Sequence, residues 1–142
     1  MKRLLATLCL SLIATVSHAE IAQEFGAIKV HYNALTTDQL QPEVARAYKI
    51  ERSKTRGMVT MSVLKQNSVG APTPVPAKLT VYATNLNQQL ANIEMREIKE
   101  GTAIYYLGEF RVSAPDTLKF TTTIEVAGEP KREMVFKQKF YK

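Results

Sequence analysis

The chain is poor in the residues that carry catalysis and hold metals: it has no tryptophan, two histidines and one cysteine. Cys9 and His18 lie in the first nineteen residues, so beyond them the chain has one histidine, His31, and no cysteine. Without cysteine there is no disulfide, no thiolate nucleophile and no cysteine metal ligand. No strained serine turn accompanies His31, and no glycine-rich phosphate loop is present. We therefore expect a protein that is not an enzyme and has neither a metal nor a cofactor.

The first nineteen residues are typical of a secretory signal peptide. Two cations at the start precede an apolar-rich run over 4–16, and small residues occupy the minus-three and minus-one positions of a cut after Ala19. The run is too short to span a bilayer comfortably, which argues against the alternative of an N-terminal membrane anchor. We expect a signal peptide over 1–19 and one exported domain over 20–142, with no transmembrane segment after cleavage.

The charge balance is only moderately basic. Two of the 19 basic residues lie in the predicted signal peptide and all 13 acids lie beyond it, so the exported chain carries 17 − 13 = +4. In an exported protein this small excess does not favour a nucleic-acid partner. The remaining length is enough for one apolar core.

Beyond the signal peptide, apolar and polar residues alternate with the period of two that half-buried strands show. The alternation predicts seven strands, at 25–32, 57–65, 77–86, 90–98, 103–112, 117–126 and 133–142. Glycine in the connections at 99–101 and 127–131 predicts tight hairpins, and three prolines within 67–76 predict an extended loop.

One segment departs from the alternation. Leu40, Val44 and Tyr48 recur every four residues, and Pro42 suits the first turn of a helix. We expect a short helix near 42–48 that caps one end of the fold. The predicted fold is all-β: a seven-stranded antiparallel immunoglobulin-like β-sandwich with one short helix after the first strand, and a small closed barrel is the alternative.

A basic cluster lies between this helix and the next strand. Arg52, Lys54 and Arg56 alternate, so an extended segment would project all three to one side, towards an acidic protein partner or a lipid headgroup. Alternatively, the arginines pair with the molecule's own acids and hold the helix–strand junction. Tyr105 similarly either anchors a partner or covers a sheet face.

Copper binding is the alternative function. His31 with Met58, Met61, Met95 and Met134 would offer the soft ligands that suit Cu(I). Against it, most of these methionines fall on predicted core faces, where methionine fills gaps.

Four segments together resemble a small uncharacterised family of exported gammaproteobacterial proteins known only as a domain of unknown function. They are FGAIKVHYNAL (25–35), PEVARAYKIERSKTRGMVTMSVLK (42–65), REIKEGTAIYYLGEFRV (96–112) and FKQKFY (136–141). The resemblance implies a periplasmic β-sandwich without established activity or ligand. The residues it would carry into a binding site are Arg52, Ser53, Lys54, Arg56 and Gly57, together with His31, Tyr32 and Asn33.

The hypothesis that joins these observations is a non-catalytic periplasmic module that binds another envelope protein. Arg52, Lys54 and Arg56 would be its polar anchors and Tyr105 an apolar one. A purely structural module without any ligand is the remaining alternative.

The exported protein is expected to begin at Glu20, because signal peptidase cuts after a small residue at minus one. The mass of the protein recovered from the periplasmic fraction measures this directly. An Ala19→Tyr variant, with a bulky side chain at that position, should remain uncut. A wild-type protein that retains residues 1–19 would contradict the export hypothesis.

Overall fold

The alternating segments fold into two antiparallel sheets that pack face to face. The structure, a computed structural model, describes residues 21–142, so the predicted signal peptide lies outside the described residues. The strands are β1 (Ala22–Phe25), β2 (Ile28–Thr36), β3 (Arg56–Lys65), β4 (Thr73–Pro74), β5 (Lys78–Thr84), β6 (Leu90–Ile93), β7 (Met95–Glu100), β8 (Ala103–Arg111), β9 (Asp116–Glu125) and β10 (Arg132–Phe140). A 3-10 turn (Thr37–Gln39) and one helix, α1 (Pro42–Ala47), follow β2.

The first sheet has the order β1-β2-β3-β8-β7, with β4 paired to the end of β3, and the second has the order β10-β9-β5-β6. Neighbouring strands are antiparallel throughout the described residues. The predicted all-β sandwich with one short helix is therefore confirmed. The lysine-bearing strand β10 lies at a sheet edge, where charged side chains discourage pairing with another chain.

Two predicted strands differ in the structure. The first is predicted to start at Phe25, but the chain turns back at Gly26, whose φ of 59° suits glycine, so that Ala22–Phe25 forms an unpredicted strand, β1, in a hairpin with β2. The second breaks at Glu94, so that β6 belongs to one sheet and β7 to the other. A side chain at Gly108 would lie 2.4 Å from Cγ2 of Ile93 and 2.5 Å from Sδ of Met95. The missing side chain of Gly108 therefore lets the crossing segment lie close against β8.

The core lies between the sheets and is rich in aromatic rings. Phe120 is fully buried, and its ring stacks on Phe136 at 4.8 Å between centroids. Phe110 meets Phe120 edge-on at 5.2 Å and Phe140 at 5.8 Å. Such offset and edge-on arrangements add stability beyond the burial of area. The residues predicted to face inward on β3, Val59, Met61 and Val63, are all buried here.

A second, smaller apolar cluster lies on the outer face of the first sheet. Ala45 of α1 and Ile50 beyond it pack against Met58 of β3 and Leu107 of β8. The helix begins at Pro42 as predicted. Its expected position at one end of the sandwich is wrong, because the apolar side chains on its inner face bury themselves against Met58 and Leu107 on the sheet.

The proline-rich loop is extended, as predicted, and is held at its end by a buried tyrosine. The backbone N–H of Ala77 donates to the hydroxyl of Tyr106 over 2.8 Å. The pKa of Tyr106 is raised, chiefly by burial. The negative charge of Glu97 adds to this rise, and the hydrogen bond from Ala77 opposes it.

Among residues 21–142, no helix is long and apolar enough to cross a membrane.

Replacing Gly57 with alanine is expected to destabilise the fold by about 1–3 kcal/mol, the usual cost of overpacking a core. The alanine Cβ would lie 2.2 Å from Cε2 of Phe110, so the ring would have to leave its contacts with Phe120 and Phe140. Urea unfolding measures the difference. In a Phe110→Leu background the same substitution should cost little, because the obstructing ring is absent; equal costs in both backgrounds would contradict this account.

Candidate functional site

The basic segment after α1 is a turn that a buried threonine holds in place. Thr37 is fully buried, and its hydroxyl donates to the Glu51 carbonyl over 2.8 Å and accepts from the Ser53 N–H over 2.9 Å. The Ser53 hydroxyl in turn accepts from the backbone N–H of Thr55 over 3.1 Å. The segment therefore bends at Lys54 instead of running as the extended strand that would project all its cations to one side.

The cations of this segment consequently have different surroundings. The Arg52 guanidinium donates to the carbonyl of Asp38 over 2.8 Å, which ties the segment to the 3-10 turn. Arg56 lies 3.8 Å from the carboxylate of Glu51 and 3.6 Å from that of Glu109. Arg52 and Arg56 thus contact neighbouring residues of the helix–strand junction, while Lys54 is exposed.

Lys54 and Arg56 also line a cleft of about 1150 Å³ at the end of the sandwich where β3 begins and β8 ends. Arg111 and Lys142 add two further cations, and the acids among the described lining residues are Asp38 and Glu109. The remaining lining residues are Thr36, Gln39, Thr55, Phe110, Val112, Ser113, Ala114 and Tyr141. We call this cleft, defined by Lys54, Arg56 and Arg111, the basic cleft.

The most unusual feature of the basic cleft is the pairing of two arginines. Arg56 and Arg111 lie directly opposite each other on β3 and β8. Like charges at opposed positions destabilise a sheet, and here Glu51 and Glu109 offset the charge of Arg56. Within the part of the chain that the structure describes, neither Arg111 nor Lys54 forms an ion pair. The cleft therefore has a net positive charge that its own acids do not balance.

The other residues that the family resemblance points to lie elsewhere. His31 and Asn33 are on the outer face of β2, opposite Ser62 and Thr60. Tyr32 points inward, and its ring lies 4.3 Å from that of Phe136. His31 is five residues along the strand from the end of β2 at the cleft, about 17 Å at the usual rise per residue. The structure does not bring the two predicted groups into one site.

Tyr105 lies on the outer face of β8 beside the helix and does not line the basic cleft. Its side chain is 42% exposed and lies across from Ile98 of β7. The neighbouring Tyr48 donates a hydrogen bond to the Glu100 carboxylate. This bond chiefly raises the pKa of Tyr48, and burial together with the charges of Glu100 and Tyr105 adds to the effect. Tyr105 therefore lies near Tyr48, the residue that follows α1, and apart from the basic cleft.

The copper hypothesis gains no support from the geometry. Met61 and Met134 lie in the core, on the opposite side of the first sheet from His31, and Met58 is buried beneath the helix. Sδ of Met61 instead accepts a hydrogen bond from the Thr122 hydroxyl over 3.8 Å. Between residues 21 and 142, no three His, Cys, Asp or Glu side chains are grouped as metal ligands.

Together these features define an all-β, two-sheet protein with a charged cleft at one end. The chain belongs to the family described as Domain of unknown function (DUF4426), which matches residues 22–142. A crystal structure of a DUF4426 family protein from Pseudomonas aeruginosa is similar, with 34% identity and a TM-score of 0.71, over 86% of this chain and 94% of that chain. No curated protein gave a significant match. The resemblance to an uncharacterised family is confirmed.

Several residues of the cleft were not predicted as site residues. Alternation places Glu109 and Arg111 on the outward face of β8, but it cannot show that Arg111 pairs with Arg56. Asp38 of the cleft, and Thr37 beside it in the sequence, stand in a polar stretch that carries no motif. One feature of the sequence could have indicated this site: Glu109 and Arg111 are two charged residues that face outward together at the end of a predicted strand.

Replacing Thr37 with valine should loosen the basic segment, because the Ser53 N–H and the Glu51 carbonyl lose their buried partner. The expected loss of stability is about 1–3 kcal/mol. Hydrogen exchange at the Ser53 amide should accelerate, while amides of β9 exchange as in the wild type. Thr37→Ser retains the hydroxyl and serves as the control. If the Ser53 amide stays protected in Thr37→Val, the hydroxyl does not hold the segment.

Proposed function

We propose that this chain is a non-catalytic, periplasmic binding module that receives an acidic segment of another envelope protein in the basic cleft. The export part of the proposal rests on the signal-peptide pattern of the first nineteen residues. The binding part rests on one observation, the pair of arginines opposed across β3 and β8.

The charge of that pair is only partly offset: Glu51 and Glu109 lie 3.8 and 3.6 Å from Arg56, and no acid among the described residues pairs with Arg111. Opposed like charges weaken the strand pairing on which the sheet depends. Proteins depart from such local rules chiefly at functional sites. A carboxylate bound between Arg56 and Arg111 would relieve the repulsion, since the planar guanidinium group suits carboxylates through paired hydrogen bonds.

The acids of the basic cleft favour a polypeptide over a phosphate ester. Oδ1 of Asp38 is buried and accepts no hydrogen bond from the described residues. Oε1 of Glu109 is also buried and accepts none, but it lies 3.6 Å from the Arg56 guanidinium. Unsatisfied acceptors are costly, and both side chains are only half-buried, so rotation can turn them towards a ligand. A polypeptide carries N–H donors for these oxygens as well as carboxylates for the cations. Nucleic acid and phospholipid would bring phosphate close to both acids.

Fluorescence anisotropy with a labelled glutamate-rich peptide tests the proposal. Arg111→Glu should weaken binding at least about tenfold, a change of about 1.4 kcal/mol. Raising the ionic strength should weaken wild-type binding, because salt screens exposed charges. Arg111 is the residue of choice, because it forms no ion pair within residues 21–142 whose loss would disturb the fold.

Lys119→Glu is the matched control, since Lys119 is an exposed cation of β9 outside the basic cleft. It should bind the peptide as the wild type does. Equal weakening in both variants, or no binding by the wild type, would refute the proposal. Tighter binding to duplex DNA or to phosphatidylglycerol vesicles, with the same sensitivity to Arg111→Glu, would show that the ligand is of a different class.

A further inference from the structure

A second depression, of about 500 Å³, continues from the basic cleft across the same end of the sandwich. The two share Phe110, Arg111 and Ser113 as lining residues. The far side of the second depression is formed by the connection between β5 and β6, which carries Leu86, and by Leu90 at the start of β6. Arg111 therefore stands between a basic region and a region with two leucines.

These leucines are unusually exposed for an ordered part of the chain. Leu86 is 71% and Leu90 58% exposed. The turn between them is held by Asn85, whose Oδ1 accepts from the N–H groups of Asn87 over 3.0 Å and Gln89 over 2.9 Å. Exposed apolar side chains grouped beside a groove, as opposed to scattered singly, mark surfaces that other molecules cover.

The charges around the second depression differ from those of the basic cleft. Among its described lining residues, the one acid is Asp116, whose Oδ1 accepts from the backbone N–H of Thr117 over 2.7 Å. The one cation among them is the shared Arg111. The groove as a whole is therefore cationic at one end and offers apolar contact at the other.

We propose that the occupant is an extended segment of an envelope protein in which acidic residues adjoin apolar ones. The acids would lie in the basic cleft, and the apolar side chains would cover Leu86 and Leu90. This inference rests on the proposed function, because it requires the acidic half of the segment to occupy the basic cleft. In the joined groove, the apolar half of the bound segment determines specificity, since burial of apolar area adds affinity that charge alone does not supply.

Labelled peptides of about twelve residues, which span roughly 40 Å when extended, test the arrangement. The first peptide has glutamates followed by glycine and serine. The second has glutamates followed by leucine and phenylalanine, and the third has leucine and phenylalanine followed by glutamates. The fourth is a scramble with the composition of the second. Wild type should bind one of the two ordered apolar peptides at least about tenfold more tightly than the glycine–serine peptide, a gain of about 1.4 kcal/mol. The scramble should show little of this gain.

Leu86→Ser with Leu90→Ser should abolish the gain and leave the affinity for the glycine–serine peptide unchanged. Both side chains are largely exposed, so the variant should fold, and unfolding curves verify this. Val69→Ser is the matched control, because Val69 is 87% exposed but lines neither depression. It should retain the full gain.

The outcomes separate the two proposals. If the glycine–serine peptide binds through Arg111 but apolar residues add nothing, this inference is overturned and the proposed function stands. If the scrambled peptide binds as tightly as the ordered peptide, the two depressions do not act as one groove and this inference is overturned. If no glutamate-containing peptide binds, the proposed function fails, and this inference fails with it.

Discussion

The packing of Phe110 against Gly57 sets the geometry on which the rest of this end of the molecule depends. The ring occupies the space that any side chain at position 57 would need, and it also meets two other phenylalanines of the core. Because the two residues are directly opposed, this contact specifies the register of β3 against β8. One step along the ladder, the same register places Arg56 opposite Arg111. An apolar contact inside the sandwich thus brings two cations together on its surface.

The strand β3 is buried on both faces near this point. Val59 belongs to the main core, and Met58 on the opposite side lies beneath α1. The chain between α1 and β3 is held by the hydroxyl of Thr37 and by Arg52. A cationic segment anchored in this way loses little conformational entropy when it binds a ligand, which favours affinity.

Arg52 and Arg56 show how one basic stretch serves both structure and surface charge. Arg52 donates to a backbone carbonyl, and Arg56 lies between two carboxylates. Exposed ion pairs of this kind stabilise a fold only weakly. The excess charge of the basic cleft comes instead from Lys54 and Arg111, which no acid among the described residues pairs. The cluster visible in the sequence and the charge presented at the cleft are therefore only partly the same residues.

The sequence alone determined the secondary structure of most of this protein. Alternation identified the strands and the buried faces of Val59 and Phe120, because a sheet with one buried face requires a period of two. Proline at the first turn identified the helix. Tertiary structure decided which strands are neighbours, where α1 rests, and that the chain changes sheet at Glu94. Contacts between residues far apart in the chain determine the strand register, the change of sheet at Glu94 and the opposition of Arg56 and Arg111. No local pattern in the sequence records such contacts.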